Sequence, residues 1–175
     1  EHPYNPTLHG YWHHLWRYSG GDIANDASHQ IDLARWLLGV EHPRSVYSVG
    51  GRFDSQGAAE TPDTQVAVYE FDGLTVTFEL TSRQPVVTAQ HFGRFPDPEH
   101  KQNFIECLKS RGRPNADIAE GHLSALWTHY ANISYRLGGR KLAIDPQSDR
   151  IVGDEEAMGL FRREYRTPWV IEENV

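Results

Sequence analysis

From residue 74 to residue 81, Leu74, Val76, Phe78 and Leu80 alternate with Thr75, Thr77 and Glu79. A period of two is the pattern of a strand that buries one face and wets the other. Residues 64–71 carry Val66, Val68 and Phe71 around Tyr69, and Asp72-Gly73 separates the two runs. Asp-Gly between strand-like runs is a strong hairpin signal, so the pair is expected to run antiparallel. Residues 44–53 read as a further strand. A sheet seeded by such a hairpin needs other elements to cover its apolar face.

The rest of the chain supplies them. A helix is expected over residues 26–38, with Asn25 or Asp26 capping its exposed amides and Gly39 stopping it. Its stripe is Ile31, Ala34 and Leu38, widened by Trp36 and Leu37, which predicts a mostly buried helix. Residues 86–91 fit a short edge strand. Residues 99–110 predict a helix with Phe104, Ile105 and Leu108 facing inward, ended by Gly112 and Pro114. Asp117 and Glu120 form a capping box for the longest helix, 118–137, closed by Gly138-Gly139. Leu123, Leu126, Trp127, Tyr130, Ile133 and Leu137 make its apolar face. Residues 141–144 read as a short strand, and Asp154 caps a last helix, 154–165, with a stripe of Ala157, Leu160 and Phe161. Thr167-Pro168-Trp169 is an extended tail expected to pack down by its Trp.

A helix, then strands, then helices with a strand among them is an α+β order: an open, mostly antiparallel sheet with helices packed on one face. The other face needs solvent-tolerant residues or a second subunit. A homodimer or tetramer is therefore expected. Residues 1–19 form an irregular lead-in rich in aromatics (Tyr11, Trp12, Trp16, Tyr18), and residues 20–175 form the α+β domain. Those aromatics need a surface to bury against. The chain thus reads as the later part of a longer protein, with a small complete domain as the alternative.

Composition removes several classes. At 175 residues the chain is long enough to fold without disulfides or a structural metal. With 24 acidic against 17 basic side chains, net charge −7, nucleic acid and anionic membrane are poor partners. No apolar run reaches the roughly 18 residues of a membrane span. The single Cys107 excludes a disulfide framework and a Cys-built zinc site. It fits a reducing compartment such as the cytoplasm, yet is harmless outside the cell.

Ten histidines invite a metal, but none is expected. His9 and His13 have helical ligand spacing, which Pro6 and Gly10 undermine. His13 and His14 are adjacent and would point in different directions in regular structure. His122 and His129 lie two turns apart, too far to share an ion. No Gly-x-Ser-x-Gly elbow is present, and Cys107 falls mid-helix as an inert thiol. There is no Gly-x-Gly-x-x-Gly loop, and Gly20-Gly21 lacks the leading strand of a dinucleotide-binding unit.

What remains is residues 20–32, Gly-Gly-Asp-Ile-Ala-Asn-Asp-Ala-Ser-His-Gln-Ile-Asp. Asn25 and His29 are four apart at an expected helix start, so an amide and an imidazole stand side by side. The positive end of a helix dipole favours a neutral imidazole, which can accept a proton near pH 7. That makes His29 a candidate general base, with Asn25 holding a substrate hydroxyl and Asp32 orienting the ring from one turn later. Alternatively, Asn25 caps the helix and His29 packs in the core. The segment taken alone leaves both readings open.

Residues 20–39 resemble the start of the C-terminal domain of the glucose–fructose oxidoreductase/inositol dehydrogenase (Gfo/Idh/MocA) family. The resemblance continues through Asn103-Phe104-Ile105-Glu106-Cys107, Arg113-Pro114-Asn115-Ala116-Asp117, Asn132-Ile133-Ser134-Tyr135-Arg136-Leu137-Gly138, Gly153-Asp154-Glu155-Glu156-Ala157 and Pro168-Trp169. It implies a domain that supports substrate binding and oligomerisation, beside an N-terminal Rossmann domain that binds NAD or NADP. It also implies hydride transfer to or from a sugar, cyclitol or related hydroxyl or keto carbon. The family's Asp-x-x-x-His motif falls on Asn25 and His29, making His29 the acid/base residue and position 25 a substrate contact.

Two departures follow. Asn25 replaces the usual Asp and cannot take a proton. The Rossmann half and the Lys of the family's Glu-Lys-Pro motif are not in these residues, so the chain alone is expected to bind no dinucleotide and to be inactive. Trp12, Trp16 and Tyr18 are candidates to stack on a sugar or to pack on that missing domain, and Arg17 is a candidate hydroxyl or carboxylate contact. Two further readings keep part of this picture. One is a redox-neutral lyase, hydratase or isomerase acting on a keto-sugar through His29. The other is a non-enzymatic module binding a carbohydrate or a protein.

Overall fold

A computed structural model describes residues 10, 12–53, 57–81 and 97–170. The hairpin forms as its sequence dictates. Strand β2 (Thr64–Glu70) pairs antiparallel with β3 (Thr75–Thr81), Ala67 opposite Phe78, around the Asp72-Gly73 turn. Strand β1 (Ser45–Gly51) pairs antiparallel with the other edge of β2, and β4 (Leu142–Asp145) and β5 (Arg150–Val152) extend the sheet to the order β3-β2-β1-β4-β5. All pairings are antiparallel. Strand β5 was not anticipated: at three residues it is too short to show a period.

Five helices accompany the sheet among the described residues: α1 (Gly21–Asn25), α2 (Ala27–Leu38), α3 (Asp97–Ser110), α4 (Ile118–Arg136) and α5 (Glu155–Gly159). Asp117 caps α4 by accepting from the Ala119 amide at 2.8 Å, and Asp154 caps α5 by accepting from Ala157 at 2.9 Å. Gly39 ends α2 in the left-handed conformation. The capping box on α4 is only half formed, because the Glu120 carboxylate pairs with Arg35 and Arg113.

Helix α4 lies on the face of the sheet that carries Val46, Ala67 and Tyr69. Trp127 stacks near Tyr69 with ring centroids 4.7 Å apart, and the Tyr69 hydroxyl donates to the Trp127 carbonyl at 3.1 Å. Burial keeps that phenol far above its ordinary pKa, so it acts only as a neutral donor. Ile151 and Ala157 bring β5 and α5 into the same core.

Several expectations fail for identifiable reasons. Helix α2 buries Ala27, Ile31 and Arg35 instead of its Leu-rich stripe, leaving Trp36, Leu37 and Leu38 exposed. Arg35 wins the inward position because α4 offers it the Ser124 hydroxyl at 2.8 Å and the Glu120 carbonyl at 3.1 Å. Phe104, Ile105 and Leu108 of α3 are exposed rather than inward. The last helix stops at Gly159, well short of residue 165, and Trp169 does not pack down but stands 72% exposed. The edge strand expected at 86–91 lies outside the described residues.

Gly21 opens α1 at φ +70, where a Cβ would lie 2.6 Å from the Thr61 side chain; Gly73, at φ +81, has open space around it. Both substitutions to Ala carry the left-handed penalty of about 1–2 kcal/mol, and only Gly21→Ala adds a clash. Urea unfolding should therefore show Gly21→Ala clearly less stable than Gly73→Ala; equal midpoints would refute the close approach.

Candidate functional site

The Gly20-Gly21 turn is the point where the lead-in meets the body. A 3₁₀ turn, Trp12–His14, precedes it, and the His14 carbonyl accepts from the Glu60 and Thr61 amides at 2.8 and 3.1 Å. The Trp16 amide donates to the Glu60 carboxylate at 2.9 Å. From α4, the Asn132 amide donates to the Gly20 carbonyl at 2.8 Å. A Cβ on Gly20 would lie 2.6 Å from that nitrogen, so only glycine permits the contact.

This anchoring shapes a cavity of about 360 Å³ between the lead-in, α4 and residues 160–165. Trp16, Tyr18, His129, Asn132, Arg136 and Tyr165 are among its lining residues. The Arg136 guanidinium lies 5.3 Å from the Trp16 ring centroid, and Trp16 also faces Tyr135. Asn132 is buried, and its side-chain oxygen has no hydrogen-bond partner among the described residues. A buried acceptor left in that state is costly, and a ligand hydroxyl would relieve it. His129 lines the cavity and is exposed there, while the protein packed around the rest of the ring, reinforced by nearby His122, pushes it below its ordinary pKa.

Of the residues singled out in the sequence, Trp16 and Tyr18 reach this cavity; Trp12, Arg17, Asn25 and His29 are not in its lining. Trp12 is exposed, and Arg17 lies over the Tyr18 ring at 5.7 Å. Asn25 does not cap α2. It ends α1, and its amide donates to the Asp26 carboxylate at 3.0 Å. The chain passes through Asp26 in right-handed helical conformation, so α1 runs almost directly into α2 and no free helix start stands there. His29 is exposed rather than in the core, and no described side chain hydrogen-bonds its ring. Asp32 does not orient it. The Asp32 carboxylate accepts from Ser124 at 2.6 Å and faces Arg35 at 3.7 Å, which commits it to α4.

Sequence reasoning missed His129, Asn132 and Arg136, whose spacing of three and four along α4 is visible but whose facing surface is not. It also separated His13 from His14, whereas the rings lie 4.0 Å apart between centroids, with Asp22 close to His14.

A dinucleotide does not fit the described residues by themselves. The sheet is wholly antiparallel, and no strand, glycine-rich loop and helix form the cradle that a pyrophosphate needs.

Two family models match the chain: the GFO/IDH/MocA C-terminal domain over residues 2–95, and the oxidoreductase family C-terminal alpha/beta domain over residues 57–171. No curated protein matches it. Among solved structures, the chain is similar to the WlbA dehydrogenase of Bordetella pertussis in complex with NADH and UDP-GlcNAcA, at 23% identity and a TM-score of 0.61, over 77% of this chain and 49% of that one. It is similar to GenD2 from gentamicin A biosynthesis in complex with NAD, at 15% identity and a TM-score of 0.59, over 77% of this chain and 51% of the other. A probable dehydrogenase from Thermotoga maritima aligns at 21% identity and a TM-score of 0.53, over 73% and 51%. At these identities the shared property is the fold. The chain spans about half the length of these solved structures.

The His129 shift has a consequence for stability. The unfolded chain takes up a proton near pH 6.5 that the folded ring refuses. Stability is thus fully present above that pH and declines as pH falls toward the lower folded value. Urea midpoints measured across this window should fall less steeply in His129→Gln than in the parent chain. An unchanged slope would contradict the lowered proton affinity of the folded ring.

Proposed function

This chain belongs to the GFO/IDH/MocA family as a C-terminal α/β oxidoreductase domain, and from that premise we propose that it is the substrate-binding and oligomerising half of an NAD- or NADP-dependent oxidoreductase acting on a sugar, cyclitol or related hydroxyl or keto compound. One observation carries the reading. The two positions of the family's acid/base motif, Asn25 and His29, stand exposed one turn apart where α1 meets α2, with the His29 ring not committed to the fold.

NAD or NADP is supplied by a nucleotide-binding domain, and the redox half of the chemistry belongs there. The residues of this chain manage the proton and the sugar. His29 takes the proton of the reacting hydroxyl, or returns it in the reductive direction, an action worth about 10²–10⁴ in rate. The Asn25 amide holds a hydroxyl without competing for its proton. Trp16 and Tyr18 present ring surface to a cavity that Asn25 and His29 do not line, where the C–H face of a part of the substrate remote from the reacting carbon can stack, and the unpaired Asn132 oxygen accepts from a hydroxyl there. Trp12 and Arg17 are held for contacts completed by the nucleotide-binding domain. Apolar side chains exposed on α2 (Leu33, Trp36, Leu37) and α3 (Phe104, Ile105, Leu108) offer surface for that domain to cover.

The sheet face opposite the helices carries Tyr47, Val66, Val68, Ala143 and an exposed Val49 and Val152. We assign it to self-association. Light scattering of the intact protein should give a dimer or tetramer, and Val49→Lys should shift it toward monomer; a monomeric parent protein would remove this part of the reading.

Kinetics of the intact protein test the rest. His29→Ala should lower kcat by about 10²–10⁴, while Trp16→Ala should raise KM and leave kcat nearly unchanged. Full turnover by His29→Ala would overturn the assignment. Products at the oxidation level of the substrate would favour a lyase, hydratase or isomerase instead.

A further inference from the structure

The 3₁₀ turn and α1 bring together three side chains that the sequence keeps apart. His13, His14 and Asp22 each place one ligand atom within 4.8 Å of the other two, the only such trio of metal-binding side chains among the described residues. All three are half-buried. His14 Nδ1 and Asp22 Oδ1 stand 3.6 Å apart. That is long for a hydrogen bond. It is close to the roughly 3.4 Å that separates two donors of a tetrahedral ion with metal–nitrogen and metal–oxygen distances near 2.0–2.2 Å.

The scaffold holds both sides of the trio. Backbone bonds from Glu60 and Thr61 fix the His14 carbonyl, and Thr61 also packs on Gly21, the residue before Asp22. Gly20 is tied to α4 by Asn132. The Asp26 and Asp63 carboxylates stand near Asp22 and add negative charge around the trio.

We infer that His13, His14 and Asp22 form a binding site for a divalent transition-metal ion of the imidazole-preferring class, with zinc the ion that suits them best. Two imidazoles and one carboxylate are a borderline donor set that selects zinc over magnesium or calcium, which prefer all-oxygen shells. The ion acts as a clip. It ties the lead-in to α1 and so steadies the stretch from which Trp16 and Tyr18 reach the cavity. This site is independent of the redox assignment.

Zinc titration of the chain against a chromophoric competitor tests it. One equivalent should bind, and calcium or magnesium should not displace it. His13→Gln, His14→Gln and Asp22→Asn should each weaken zinc at least about tenfold, while His122→Gln, remote from the trio, should bind as the parent does. Failure to bind one equivalent overturns the site, as does equal binding by all four variants. X-ray absorption of the zinc-loaded parent chain needs no variant to fold. Two imidazole scatterers with an oxygen shell near 2.0–2.2 Å support the assignment, and a shell lacking imidazole overturns it.

Discussion

A stripe of small polar side chains on α4 decides where the other helices lie. Ser124, Thr128 and Asn132 recur every fourth residue and are all buried. Polar side chains on that face are tolerated where each finds at least one partner. Ser124 takes Arg35 and Asp32 from α2, Thr128 turns back to the Ala125 carbonyl, and Asn132 reaches the Gly20 carbonyl. Two residues beyond Asn132 and off that stripe, Ser134 accepts from the Ser48 amide of β1 and donates to the Arg140 carbonyl. Hydrogen bonds are directional where apolar contact is not. The stripe therefore sets the rotation of α2 and the height of the glycine turn against the sheet.

The consequence reaches the site. With Gly20 pinned to Asn132 and Gly21 pressed on Thr61, the lead-in can leave the turn in few directions, and Trp16 and Tyr18 come to face α4 across the cavity. The motif pair Asn25–His29 lies beyond the same turn, on surface that the chain does not use for its own packing. The cavity and the exposed Asn25–His29 pair are thus two outputs of one anchoring contact.

Much of this was legible in the residues. The Asp72-Gly73 hairpin, the caps at Asp117 and Asp154 and the stop at Gly39 depend on local chemistry, and each appears where its residues stand. The α+β architecture was readable from the order of the elements, and the family from the resemblance carried by residues 20–39 and the later segments. What stayed hidden was long-range. Periodicity identifies an apolar stripe on α2 but cannot announce that α4 offers better partners to Arg35 than to Leu38. Nor can adjacency in the chain reveal that a 3₁₀ turn folds His13 and His14 against each other, because the expectation that they diverge assumes regular structure. The exposure of Phe104, Ile105 and Leu108 was equally invisible, since a sequence shows what wants cover but not whether this chain provides it.

The distribution of indoles has a practical outcome for anyone following this fold by light. Trp127 is sealed in the core at 1% exposure, whereas Trp12, Trp36 and Trp169 are 51%, 77% and 72% exposed. Intrinsic emission of the folded chain is already weighted toward rings that sense water. Denaturation moves only one deeply shielded fluorophore into solvent, so the spectral change is modest and reports chiefly on the contact between α4 and the sheet. Quenching by a small solute, which counts accessible indoles, is the more sensitive optical gauge of whatever covers the outer helices.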